Sequence, residues 1–180
     1  AINNAQKIKY AIAAENCSLK QREVMEFLEV LKETFIISEI RPFFTNKNKE
    51  LAKIPKAYFM DNGVRNYFIN NFNPLRKRED AGFLFEAFVL QELTKSGIEN
   101  IRYWQDKEKR EVDFVINNVS SQIPIEVKYK KKLKKADLGG INAFHKTYQP
   151  QQSYLVNLSR QEKTDRVEYV LPFNLYNSLD

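Results

Sequence analysis

Between Ile123 and Tyr129 the chain reads "IPIEVKY", with Ile123, Ile125, Val127 and Tyr129 at one parity and Pro124, Glu126 and Lys128 at the other. A period of two is the signature of a half-buried strand. "NIRYWQ" and "REVDFVI" read as strands before it, joined by "DKEKR" and "NNVSSQ", and "SYLVNLS" and "RVEYVL" read as strands after it. Ahead of them, "EDAGFLFEAFVLQELTKSG" changes to helical spacing, with Gly82, Phe83, Glu86, Val89, Leu90 and Leu93 on one side and Gly97 as the C-terminal cap. Residues 136–148 predict a second helix turned inward through Leu138, Ile141, Phe144 and Tyr148, although Gly139-Gly140 weakens the pattern. The order αβββαββ over residues 76–180 predicts a small α/β sandwich.

Residues 1–75 form a separate pattern. Residues 1–14 are expected to be helical. Ser18 and Gln21 have capping-box spacing ahead of Val24, Phe27, Leu28, Leu31 and Phe35, which recur at helical intervals. "FIISEI" and "KAYFM" read as two strands around the basic loop "RPFFTNKNKELAKIP", and "DNGVRNYFINNFNPLRKRED" as a loop with a short helix. A helix followed by a two-stranded basic hairpin has the shape of a partial winged-helix unit, used both for DNA reading and for structural or dimerising roles.

Composition narrows the function classes. With 43% hydrophobic and 29% charged residues, the 180-residue chain can bury one medium core or two small ones. No apolar run is long enough to cross a bilayer, so no membrane partner is expected. Cys17 is the only cysteine, which excludes an internal disulfide and fits a reducing, cytoplasmic compartment. His145 is the only histidine, so a metal would be a hard ion held by carboxylates. The net charge of +6, shared by both halves, is compatible with nucleic acid. The chain opens on Ala1 rather than Met, which predicts a C-terminal piece of something longer.

The candidate chemistry lies on the central hairpin. A turn centred between Val119 and Ser120 sets Asp113 opposite Glu126 and Glu111 opposite Lys128 on one face. Val112, Phe114, Ile116, Ile125 and Val127 then make the apolar face. Two opposed carboxylates repel, so one takes a proton or a cation enters the gap. Mg²⁺ accepts one or two carboxylates together with phosphate oxygens, and Lys128 lies close enough to neutralise developing charge. Glu86 is an acid within an apolar helical stripe and needs a partner. Either it completes the acidic cluster, or it pairs with a structural arginine such as Arg110.

An acid on a helix, an acid on a strand and Glu-x-Lys on the next strand, within "GFLFEAF", "REVDFVI" and "PIEVKYK", resemble the PD-(D/E)XK nuclease superfamily. Its restriction-endonuclease-like core is αβββαβ. "FLEVLKETFIISEIRPFF", "KIPKAYFMDNGV" and "YWQDKEKREVDFVI" resemble more closely the C-terminal region of a family of bacterial and archaeal AAA-type ATPases. In those, a winged-helix segment and a restriction-endonuclease-like domain follow the P-loop module. The resemblance covers nearly the whole chain. It implies Asp113 and Glu126 as ligands of Mg²⁺ or Mn²⁺, Lys128 as the catalytic lysine and Glu86 as an auxiliary acid at the metal. It also implies DNA as substrate and the ATPase module of the same parent polypeptide as a partner. Val112 stands where the motif has proline, and no G-x-x-x-x-G-K-[ST] occurs, so this chain by itself is not expected to hydrolyse ATP.

Two further features have two readings each. Lys128, Lys130, Lys131, Lys132, Lys134 and Lys135 form a run that either binds a DNA backbone or is a solvated turn. Trp104 either stacks on a base or packs at the sheet edge. The alternative to a nuclease is a non-catalytic DNA- or protein-binding module that regulates the ATPase.

Overall fold

The computed structural model describes residues 4–43, 54–118 and 121–179. Two sheets share a core. The smaller has the order β1-β3-β2, from β1 (Gln6–Lys7), β2 (Ile37–Ile40) and β3 (Lys56–Phe59), all antiparallel. Helices α1 (Tyr10–Cys17) and α2 (Gln21–Glu33) lie between β1 and β2 in sequence. The single helix expected over residues 1–14 is therefore corrected to a short strand and a later helix, because Gln6 and Lys7 pair with β3. Ser18 does not start α2. It ends α1 in the left-handed region, and Glu23 reaches back to accept from the Lys20 backbone N–H at 2.7 Å. The inward face expected of α2 is only partly buried: Val24 is enclosed, whereas Phe27 and Phe35 face solvent. The basic stretch expected between β2 and β3 falls mostly on residues 44–53, outside the described residues.

Helix α3 (Asn62–Phe68) is capped by Asp61, whose carboxylate accepts from Val64 N–H at 2.8 Å. A 3₁₀ turn at Leu75–Lys77 then leads to α4 (Ala81–Lys95). Gly97, at φ +75°, closes α4 in a Schellman motif, with Ile98 N–H on the Leu93 carbonyl and Gly97 N–H on the Thr94 carbonyl. This is the cap the sequence predicts. Helix α4 lies between the two sheets and is buried on most of its circumference, through Leu84, Phe85, Ala87, Val89, Leu90 and Leu93. Gly82 and Phe83, expected on its inner side, are exposed instead.

The larger sheet has the order β4-β5-β6-β7-β9-β8. Its strands are β4 (Ile101–Gln105), β5 (Glu111–Asn117), β6 (Gln122–Val127), β7 (Tyr154–Val156), β8 (Glu162–Lys163) and β9 (Glu168–Val170). Strand β8, a short edge piece antiparallel to β9, adds to the predicted order. Strands β4, β5 and β6 run antiparallel, and β6 pairs parallel to β7. The parallel crossover is made by α5 (Gly139–Tyr148), after a 3₁₀ turn at Lys135–Leu138. The short α6 (Leu175–Leu179) closes the chain. Ala5, Ile40 and Tyr58 join Phe85, Leu90, Phe114 and Ile125 in one core. On the other face, α5 packs Phe144 against Trp104, Val112 and Val115. Trp104 is therefore packing, edge-on to Phe144 at 5.3 Å between ring centroids.

The described residues thus form a mixed α/β fold with helices on both faces of a mixed sheet. Among them, no helix is long and apolar enough to cross a membrane.

Candidate functional site

The β5–β6 register is the predicted one, with Phe114 opposite Ile125 and Ile116 opposite Ile123. The alternation along β5 is not. Against β4, Arg102 meets Val115 but Trp104 meets Val112, so β5 carries one extra residue there. This bulge puts Val112 in the Trp104 cluster, on the opposite face from Phe114 and Ile116, and so corrects the single apolar face expected of all three. It also turns Glu111 away from Lys128. Asp113 is at the bulge, and past the Phe114–Ile125 pair its Oδ2 accepts from Val127 N–H at 2.8 Å. A side chain thus replaces the ladder, and the two strands part at this point.

Asp113, Glu126 and Lys128 come together where the strands part. Lys128 Nζ donates to Glu126 Oε1, while Glu126 Oε2 is buried with no hydrogen-bond partner among the described residues, on a residue 5% exposed. Glu86 approaches from α4, but its partners are not Arg110, which pairs with Asp106 and Glu108. Tyr58 OH donates to Glu86 Oε1 at 2.6 Å, and Lys56 Nζ to the same oxygen at 3.2 Å. Lys56 Nζ also lies 2.5 Å from Glu111 Oε1, and Lys7 Nζ lies 3.6 Å from Glu111 Oε2. Glu111, expected opposite Lys128, pairs with Lys56 instead, and Lys56 and Tyr58 are the members that the sequence reading missed. Their signal was present in "KAYF", where a lysine shares the inward parity of a buried tyrosine.

A cleft of about 460 Å³ opens onto these groups, lined by Glu86, Asp113 and Lys128 and rimmed by Arg76, Phe83 and Lys130. Of the lysine run beyond Lys128, Lys130 reaches the cleft and is tied to the buried Asp137 at 2.6 Å. Lys131, Lys132, Lys134 and Lys135 are exposed on the loop beyond. A larger hollow of about 630 Å³, beside His145 and Arg166, has no acidic group in its lining among the described residues.

Four carboxylates here face the ammoniums of Lys7, Lys56 and Lys128, which leaves the cluster one positive charge short. Burial, then the Asp113 carboxylate, holds Glu86 up at about 7, against the pull of Lys56 and Tyr58. Burial and Asp113 push Glu126 well above the usual carboxylate range, with Lys128 opposing. Burial works against the Lys128 ammonium, but Asp113 and Glu126 raise its proton affinity. Among the described residues, no three His, Cys, Asp or Glu side chains are set as a metal cage. In the packing seen, Glu86 is turned to Lys56 and Glu126 to Lys128. The orphaned oxygen of Glu126, whose carboxylate feels the charge of Asp113, nevertheless fits a hard divalent ion, which needs only one or two carboxylates.

The Glu86 shift fixes the sign of a pH effect. Between about 4.5, its ordinary value, and about 7, the folded chain keeps a proton that the unfolded chain has lost. The stabilisation is complete below 4.5 and is lost as pH rises through 7. His145, lowered by burial and then by Arg166, acts in the opposite sense, so the measurement must be a difference. In metal-free buffer, Glu86→Gln should gain roughly 2 kcal/mol on the unsubstituted chain between pH 5 and 7.5 by urea unfolding. A flat difference would mean that Glu86 is ionised throughout.

Residues 81–176 match the family model described as Domain of unknown function (DUF4143), and residues 1–75 match that of Domain of unknown function (DUF8612). The chain is similar to Uncharacterized protein Mb2031c of Mycobacterium bovis and to Uncharacterized protein Rv2008c of Mycobacterium tuberculosis. Each is 24% identical over 128 residues, which is 69% of this chain and 29% of the relative. The aligned stretch therefore spans less than a third of either relative. No solved structure gives a significant match.

Proposed function

Because the chain belongs to the family described as Domain of unknown function (DUF4143), a domain often found C-terminal to AAA ATPases, we propose that it is a nuclease-like domain acting on DNA at the end of a larger ATPase. The order α4-β4-β5-β6-α5-β7 is compatible with a restriction-endonuclease-like core, and α1, α2 and the small sheet with a winged-helix unit ahead of it. The observation that carries the reading is the buried Glu126 oxygen, without a hydrogen-bond partner among the described residues, on a carboxylate that feels the charge of Asp113, which itself lines a cleft rimmed by cations.

Asp113 and Glu126 would hold Mg²⁺ or Mn²⁺, which supplies Lewis-acid chemistry at a phosphodiester. The Val127 N–H fixes Asp113, which lines the cleft, through one of its two oxygens. Lys128, released from Glu126, holds the charge that develops on the phosphate. Arg76 and Lys130 attract the flanking phosphates, and the exposed lysines beyond extend that attraction along the backbone. Glu86 lines the same cleft with a proton affinity near neutrality, suited to exchanging a proton with water there.

The test pairs Mn²⁺ calorimetry with cleavage of linear, supercoiled and branched DNA. The chain should bind Mn²⁺ and cut at least one DNA form. Asp113→Asn should bind Mn²⁺ roughly 100-fold more weakly and lose cleavage. Equal cleavage by both proteins identifies a contaminant. A second reading, a non-catalytic DNA- or protein-binding module regulating the ATPase, draws on the ion pairs Lys128–Glu126 and Lys56–Glu86, which already engage the acids. DNA retention without Mn²⁺ binding or cleavage would favour it.

A further inference from the structure

Lys56 is 4% exposed, and it comes from the small sheet, not from the unit that carries the acids. Its ammonium bridges Glu86 at 3.2 Å and Glu111 at 2.5 Å, and it stands 5.5 Å from the centre of the Tyr103 ring. Burial works against its charge, yet Tyr58, Glu86, Asp113 and Glu111 together raise its proton affinity well above the ordinary value. Lys128 meets the cluster from the cleft, with a side chain one-quarter exposed. Lys56 meets it on the side of the small sheet and is locked by packing. A single positive charge shared between partly buried carboxylates of two elements is the arrangement a bound cation would have.

We propose that Lys56 is the site's resident cation: it permanently fills the place of a second metal, between Glu86 and Glu111, and limits the site to one divalent ion. This rests on the reading of Asp113 and Glu126 as a metal site. It makes Lys56 a positioning residue that the N-terminal unit contributes to chemistry on the larger sheet. It also explains why Glu86 and Glu111 are not scattered by repulsion from Asp113: the lysine holds them, and Asp113, with Glu126 once Lys128 releases it, is left to the incoming ion.

Mn²⁺ binding, counted on the full chain by calorimetry and by the electron paramagnetic resonance of free Mn²⁺, tests this together with melting temperature. The unsubstituted chain should bind one ion. Lys56→Ala, which vacates the ammonium's position, should melt lower in chelator, recover on adding Mn²⁺ and bind two ions. Adding Glu86→Gln to it should return the count to one. Lys56→Met, which refills the position with an apolar side chain, should bind no second ion. If Lys56→Ala still binds one ion, or stays unfolded with Mn²⁺ present, the proposal is overturned while the Asp113–Glu126 reading stands. If the unsubstituted chain binds none and Lys56→Ala binds one, the resident cation is upheld and the Asp113–Glu126 metal reading fails instead.

Discussion

Asp80→Ala should destabilise the folded chain by roughly 3–5 kcal/mol, the usual loss when one partner of a buried ion pair is removed. Asp80 stands just before α4 and receives two buried guanidiniums. Arg65 Nη1 is 2.6 Å from Oδ2, while Arg78 donates through Nε to Oδ1 at 2.8 Å and through Nη2 to Oδ2 at 2.7 Å. Those bonds, Arg78's foremost, hold the Asp80 carboxyl well below its ordinary range. Its contribution is therefore present above about pH 4 and lost as pH falls through the depressed value. Arg78 keeps the Asn71 carbonyl at 2.5 Å, which offsets little of the lost charge. Of these residues Arg78 also walls the cleft, between Arg76 and Glu79. Urea unfolding at pH 7 is the measurement. A loss below about 1 kcal/mol would show that the arginines find other compensation.

The second large effect separates two adjacent glycines. A Cβ on Gly140 would lie 1.8 Å from the Glu111 carbonyl oxygen and 3.1 Å from Glu126 Oε2. The first contact is with backbone, so Gly140→Ala must push the start of α5 off β5. The expected cost is about 3 kcal/mol, the upper part of the overpacking range. The displacement would also disturb the carboxylate proposed to hold the metal, so Mn²⁺ affinity should fall with stability. At Gly139, a Cβ meets nothing within 4 Å. Gly139→Ala should therefore be neutral or stabilise by up to about 1 kcal/mol, through helix propensity. If the two variants unfold at the same urea concentration, α5 does not approach the sheet as closely as described.

This pair also shows what a sequence pattern hides. In "LGGIN" both glycines weaken a helix, and nothing distinguishes them until α5 lies against the strands. The bulge in β5 is similar. "REVDFVI" alternates without a fault, yet pairing with β4 inserts an extra residue, so Val112 and Phe114 separate to opposite faces and Glu111 turns to Lys56. The register from the turn to the Phe114–Ile125 pair tolerated this, because the turn on the β6 side set it independently. Asp113, however, lies past the last pair and meets the Val127 N–H instead of standing in a ladder pair with Glu126. The reading of Glu111 opposite Lys128 did not tolerate the bulge, because it assumed unbroken pleating beyond the pair.

From the sequence alone came the order α4-β4-β5-β6-α5-β7 of the larger unit, the Gly97 cap, the hairpin register and the meeting of Asp113, Glu126 and Lys128. All of these follow from short-range periodicity and from residues one turn apart. Tertiary structure alone decided that Glu86 meets Lys56 and Tyr58 instead of an arginine, and that a bulge opens the strands at the acids. It also decided which of two glycines is indispensable. A partner 30 residues away on another sheet is chosen by how layers pack and which buried charge lacks compensation, and neither leaves a period along the chain.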